Sequence, residues 1–284
     1  MRLQDRCRRG DLFQSVDARR YNSAGIPRDV WGQFVTKNVW LIGASDGIGA
    51  SLARRLAKDG CTIALSARNA ERLEHLSSEL VGTGHLVVPL DVQKPTTIIA
   101  AWNTIRKSWA ETGGANVFIY NAGAYHPMSA ETFALDSIES MIEVNLTGAF
   151  RALACILPEF LERNMGHIVL VGSLAGYRGL PNAIGYGASK AALNHLAENL
   201  KLDLGETGIK VQLVSPGFVR TRLTDKNDFP MPFLMAPETA ADHIADGLRK
   251  DRFEIRFPWQ MALIFDILYL LPRRVYFAVG KYLR

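Results

Sequence analysis

Short apolar stretches of β type recur along the chain at residues 38–43, 62–66, 86–90, 116–120, 167–171 and 210–214. Most are apolar throughout rather than alternating, the pattern of strands buried on both faces of a parallel sheet. Between them, apolar residues repeat at helical spacing over 47–59, 70–80, 95–112, 135–163, 186–206 and 237–250. Gly60 and Gly208 stand where a glycine would close the first helix and the helix before the sixth strand. Strand followed by helix, six times over, predicts a single α/β domain with a doubly wound, mostly parallel sheet, helices on both faces and right-handed crossovers. A short seventh strand is expected over 253–257.

This pattern divides the chain into an N-terminal extension (1–36), a strand–helix domain (37–256) and an apolar, then basic, helical tail (257–284). Tail and extension also account for the charge. The chain of 284 residues carries +5, with 33 Lys+Arg against 28 Asp+Glu. Residues 1–36 hold seven arginines and four acids, and residues 273–284 hold four cations and no acid. Those segments contribute +3 and +4, which leaves 37–272 at −2. The domain is thus slightly acidic, and no nucleic-acid partner is expected.

The tail reads as an apolar helix broken at Pro272, then a basic helix with Tyr276, Phe277 and Tyr282. It is open to three readings: a subunit-interface or substrate-covering helix, an interfacial membrane helix, or an extra core helix. Its apolar run is too short to span a bilayer. Cys7, Cys61 and Cys155 show no CxxC or Cys/His spacing, and the histidines show no ligand spacing, so neither a disulfide framework nor a metal site is expected. The first 25 residues contain no apolar signal core. A cytoplasmic protein, with membrane association left open through 257–284, is the expectation.

The first strand runs into Gly43-Ala44-Ser45-Asp46-Gly47-Ile48-Gly49, and a helix follows. Glycines there allow a tight turn and a close approach of backbone N–H groups to phosphate, while the helix N-terminus adds partial positive charge. Such a turn alone serves geometry as often as binding, but strand before and helix after make it a Rossmann-like dinucleotide signature. The second strand ends in Ser66-Ala67-Arg68, with no acid to accept from a ribose 2′-hydroxyl. Arg68 is instead available to a 2′-phosphate, which favours NADP(H) over NAD(H). Asp91, followed by Val92 at the end of the third strand, is read as a contact to the adenine, a simple helix cap being the alternative.

Tyr186-Gly187-Ala188-Ser189-Lys190 places a phenol and an ammonium on one helix face. A cation there stabilises phenolate and lowers the tyrosine pKa, making it a proton donor or acceptor for an alcohol or carbonyl. Such a pair is common and means little by itself. Here Ser173 ends the fifth strand, Asn121-Ala122-Gly123 ends the fourth, and Asn145 lies in the next helix. Strand C-termini are where open α/β sheets bind ligands.

Taken together, GASDGIG, NAG, Asn145, Ser173, YGASK and Ser215-Pro216-Gly217 resemble the short-chain dehydrogenase/reductase family over about residues 37–256. The resemblance implies that Tyr186 is the general acid/base and that Lys190 lowers its pKa and binds the nicotinamide ribose. Ser173 would hold the substrate oxygen, and Asn145 a water in the proton relay. It further implies that Asn121-Ala122-Gly123 borders the cofactor, and that Pro216, Gly217, Val219 and Thr221 meet its nicotinamide end. Two departures stand out: Ile42 replaces a usual threonine, and Asp46 puts a negative charge near the phosphates.

The function expected is therefore hydride transfer between NADP(H) and a carbonyl or secondary alcohol. The apolar segment 218–236 suits an apolar ketone or 3-oxoacyl substrate. An NAD-linked alcohol dehydrogenase and a non-catalytic NADP-binding sensor or scaffold are the rivals. A homodimer or homotetramer is implied by the resemblance alone.

Overall fold

A computed structural model describes residues 37–280, and the expected N-terminal extension and the last four residues lie outside them. Seven strands form one sheet in the order β3-β2-β1-β4-β5-β6-β7, with every pair parallel. They are β1 (Asn38–Ile42), β2 (Thr62–Ser66), β3 (Leu86–Val87), β4 (Val117–Tyr120), β5 (Gly166–Val171), β6 (Ile209–Pro216) and β7 (Glu254–Phe257). The helices are α1 (Gly47–Lys58), α2 (Ala70–Glu79), α3 (Pro95–Ser108), α4 (Leu135–Ile142), α5 (Gly148–Arg163), α6 (Ile184–Asp203), α7 (Pro237–Leu248), α8 (Trp259–Leu270) and α9 (Arg273–Gly280).

Uniformly apolar strands fold this way because both faces of the sheet are covered. Val39, Leu41, Ile63 and Val117 point to one side, packed with Leu52 and Leu56 of α1, Leu73 of α2 and Ile244 of α7. Trp40, Ile42, Phe118 and Ile168 point to the other, packed with Trp102 of α3, Phe160 of α5 and Leu193 of α6. The departure at Ile42 is thus a fully buried core residue.

Some boundaries differ from expectation. The regular ladder of β3 stops at Val87, although Val88 and Leu90 still donate to the Leu65 and Ala67 carbonyls; Pro89 falls between them, where its missing N–H faces the open edge. The stretch 95–112 divides into α3 and a short 3₁₀ turn, Ala110–Thr112. The expected single helix over 135–163 contains a π-turn, Glu143–Thr147, between α4 and α5. Gly60 follows α1 at φ +80°, as a closing glycine should. Gly208 does not close α6, which ends at Asp203 with Leu204 as its cap.

Candidate active site

The C-terminal ends of the central strands open into a cleft of about 1010 Å³. Its lining includes Gly43, Ser45, Asp46, Gly47 and Ile48 after β1, and Arg68 after β2. Asp91 and Val92 follow from the segment after β3, Asn121, Ala122 and Gly123 from that after β4, and Ser173 from that after β5. Tyr186 and Lys190 come from α6, with Pro216, Gly217, Val219 and Thr221 at and beyond the end of β6. Only Gly49 and Asn145, among the residues singled out from sequence, do not line it.

Gly49 acts behind the surface. A side chain there would place its Cβ 2.0 Å from the Gly43 carbonyl oxygen, so only glycine lets α1 press against the turn. Gly43 itself adopts φ +88°, and a Cβ on it would sit 2.6 Å from the backbone nitrogen of Ala122. Asn121 braces the same turn by donating through Nδ2 to the Gly43 carbonyl at 2.8 Å.

Asp46 caps α1, accepting from the Gly47 N–H at 2.8 Å. Its other oxygen lies 2.7 Å from Nε of Arg222 and 3.7 Å from Arg72. The negative charge near the phosphate position is therefore matched, and Arg68 has no ion-pair partner among the described residues. Arg72 and Arg222, together with Tyr125 and His126, are cleft residues that sequence reasoning missed. Arg72 lies one helical turn beyond Arg68 and Tyr125 two positions beyond Asn-Ala-Gly, so spacing offered a signal for both; Arg222 comes in from a loop and offered none. Asp91 uses its side chain to accept from Gln93 N–H at 3.1 Å in a turn, and the helix cap weighed from sequence falls instead at Lys94.

At the other end of the cleft Lys190, Asn145 and Ser189 are buried, and Ser173, Tyr186 and Tyr125 are half-buried. Ser173 begins a 3₁₀ turn and accepts from Ala175 N–H at 3.1 Å. Its hydroxyl lies beside that of Tyr186 and acts against the phenol's upward shift. The Lys190 ammonium donates to the Val171 carbonyl at 2.8 Å and lies 5.9 Å from the centre of the Tyr186 ring. Tyr125 meets that ring edge-on at 4.9 Å, and its own hydroxyl donates to Asn227 at 2.8 Å.

Burial sets the protonation states here. It pushes the Tyr186 phenol up to about 12, with Ser173 opposing and Tyr125 reinforcing the shift. The Lys190 ammonium is depressed to about 8 by the same loss of water. The tyrosine shift thus runs opposite to that expected from a lysine one turn away. Lys190 points one N–H at the Val171 carbonyl rather than at the phenol, and loss of water dominates the phenol's shift.

Asn145 is fully buried in the π-turn, a helix irregularity common at functional sites. Its Oδ1 accepts from Ala124 N–H at 2.7 Å, and its Nδ2 donates to the Ala124 carbonyl and to Ser189 Oγ at 3.0 and 2.9 Å. Ser189 in turn donates to the Tyr186 carbonyl at 2.8 Å. Asn145 thereby ties the segment after β4 to the helix carrying Tyr186 and Lys190. Ser189, inside Tyr-x-x-x-Lys, is a second functional position that the motif concealed.

The short chain dehydrogenase family model matches residues 37–230. The chain belongs to that family. An uncharacterised oxidoreductase of Myxococcus xanthus is 37% identical over 242 residues, covering 85% of this chain and 95% of that protein. An uncharacterised oxidoreductase of Staphylococcus aureus is 31% identical over 182 residues, covering 64% of this chain and 78% of that one. Among solved structures, a short-chain dehydrogenase of Sphingobium yanoikuyae in complex with NADPH superposes with a TM-score of 0.72 at 29% identity, over 82% of this chain and 92% of that one. A variant actinorhodin polyketide ketoreductase with NADPH gives 0.69 at 27% identity, over 78% and 95%. This short-chain dehydrogenase is thus an oxidoreductase of a small-molecule substrate, with neighbours that carry nicotinamide dinucleotides.

Proposed function

We propose that this protein is an NADP(H)-dependent carbonyl reductase acting on an apolar ketone or 3-oxoacyl compound, with Tyr186 as its proton donor. The observation that carries the reading is the Tyr186 hydroxyl in the cleft, beside that of Ser173 and one helical turn from Lys190.

The residues present fit the cofactor. Gly43 and Gly49 leave no side chain where the turn must pack, and Asp46 is already neutralised. The turn through Ser45, Gly47 and Ile48 and the N-terminus of α1 would hold a pyrophosphate. Arg68 would pair with a 2′-phosphate, Asp91 and Val92 would border the adenine, and Asn121, Ala122 and Gly123 would flank the middle of the cofactor. Lys190 would bind the nicotinamide ribose hydroxyls, beside Pro216, Gly217, Val219 and Thr221. When bound, the nicotinamide supplies hydride to the substrate carbon, or takes it up in reverse.

The chain's own groups handle the oxygen and its proton. Ser173 and Tyr186 hold the substrate oxygen, where negative charge grows as the carbonyl is reduced. With its pKa near 12, Tyr186 carries its proton at neutral pH and can deliver it to that oxygen. Lys190, charged below about 8, favours the phenolate left behind. Asn145 fixes the helix that carries both.

An apolar substrate is supported by the segment after β6, where Phe218 and Phe229 pack edge to face at 5.9 Å. Exposed Phe150 and Leu161 on α5 and Leu202 on α6 support pairing of copies through those helices.

The test is a titration of NADPH and NADH on the wild type and Arg68→Ala, followed by a screen of ketones and 3-oxoacyl compounds of increasing chain length. NADPH should bind roughly tenfold or more tightly than NADH, a preference Arg68→Ala should erase. Equal affinities in the wild type would sink the cofactor assignment, and rates independent of chain length would sink the substrate class.

A further inference from the structure

Helix α8 buries one side and exposes the other. Met261 and Phe265 pack on Leu174, with Tyr177, Leu180 and Phe218 around them. Trp259, Leu263, Ile267 and Leu270 recur at the spacing of the opposite face, and all four are exposed, Leu270 by 81%. Phe277 on α9 adds 65% exposure beside them in the chain. Isolated exposed apolar residues need no explanation, but a contiguous set on one two-helix element does.

The charges around this face are net positive. Arg273 and Arg274 open α9, and no acid lies on that helix. Its one carboxylate, Asp266 of α8, half-exposed among these residues, is already paired with Arg256. The sequence continues with Lys281 and Arg284, two further cations.

The C-terminal end of α8 is held by an arginine from another segment. Arg178 donates to the Leu268 and Leu271 carbonyls at 3.2 and 2.7 Å, and its guanidinium stacks over Tyr276 at 4.7 Å. Tyr276 donates to the Gly179 carbonyl, so the two helices are fastened to the segment that follows Ser173. Twelve residues give about 18 Å of helix, well short of the roughly 30 Å hydrocarbon core, so this element can lie on a bilayer but not cross it.

We propose that the α8–α9 face docks on a membrane surface rich in anionic lipid, its apolar side chains entering the interface and Arg273 and Arg274 meeting phosphate headgroups. Charge complementarity favours this occupant over a second copy. A twofold pairing of this face would set the arginines of one copy against those of the other, with Asp266 already engaged. Anionic headgroups supply the missing countercharge. Docking would also set the bilayer across α8 from Leu174 and Phe218, the walls next to Ser173 and Gly217, and so shorten the path of an apolar substrate. That last consequence rests on the apolar-substrate reading; the docking itself does not.

Sedimentation of the full-length protein with vesicles tests the proposal without any turnover measurement. The probes are vesicles of phosphatidylcholine alone and of three parts phosphatidylcholine to one part phosphatidylglycerol. The wild type should sediment with the anionic vesicles, less so at high salt. R273Q/R274Q should lower its partition coefficient about thirtyfold, at about 1 kcal/mol per arginine. Leu270→Ser should lower it about tenfold while leaving NADPH binding intact, which shows that the variant is folded. If the wild type ignores anionic vesicles, or if Leu270→Ser dissociates an oligomer in ultracentrifugation and leaves vesicle binding unchanged, the proposal is overturned.

Discussion

At the glycine-turn end of the cleft, the charged groups face solvent and hold one another: Asp46 pairs with Arg222 and Arg72, and each of these side chains is more than two-fifths exposed. At the Tyr186 end, Lys190 and Asn145 are almost wholly shut away from water, and each polar atom has a named partner. Salt screens the first arrangement, so changes there should be graded. Desolvation governs the second, so changes there should act on protonation and on the shape of the site together. On the proposed reading, affinity for the cofactor's phosphates and competence for the chemistry fall in separate halves of one cleft, and each can be altered alone.

The largest expected effect falls in the buried half. Tyr186→Phe should lower kcat about a thousandfold while leaving the NADPH dissociation constant within about threefold of wild type, as read by steady-state kinetics and fluorescence titration. A parallel loss of binding would break the separation of the two halves.

The next largest is a pH effect. Lys190 is protonated below about 8 and neutral above it, whereas an ordinary lysine stays charged to about 10.5. The kcat/KM for carbonyl reduction should therefore be level below about 8 and fall about tenfold per pH unit above it. A profile that stays level up to the ordinary lysine range would show that Lys190 is not poised by burial.

Asn145→Ala leaves Ala124 and Ser189 short of partners, each loss costing about 1–3 kcal/mol when buried. Thermal unfolding should register that cost, and kcat should fall with KM for NADPH little changed.

Effects in the exposed half are smaller. Arg68→Ala should weaken NADPH roughly tenfold with NADH unaffected. Asp46→Asn keeps a competent helix cap but frees Arg72 and Arg222. NADPH should then bind about two- to fivefold more tightly at low salt, with the gain fading at high salt. Weaker binding in Asp46→Asn would mean that the arginines need the carboxylate to hold them in place.

Sequence reading reached the fold because buried parallel strands leave an unmistakable apolar run, and the run is the same whichever strand neighbours it. It reached the cleft because glycine turns, Tyr-x-x-x-Lys and strand-end polar residues sit at fixed places in such a sheet. It missed what depends on distant loops. Arg222 lies far in sequence from Asp46, and no local pattern announces their contact. The π-turn at Asn145 was invisible because its residues keep the composition of the helix around it. The direction of the Tyr186 shift was misread because spacing shows which charge is near but not how much water is lost.

The central claim is that hydride reaches a carbonyl carbon while Tyr186 supplies the proton. It is tested most directly with NADPH deuterated at the transferable position of nicotinamide C4 and an apolar ketone. The wild type should place one deuterium on the carbinol carbon, and Tyr186→Phe should form the same labelled alcohol about a thousandfold more slowly. Unlabelled carbinol carbon, or a Tyr186→Phe rate equal to that of the wild type, would contradict the account.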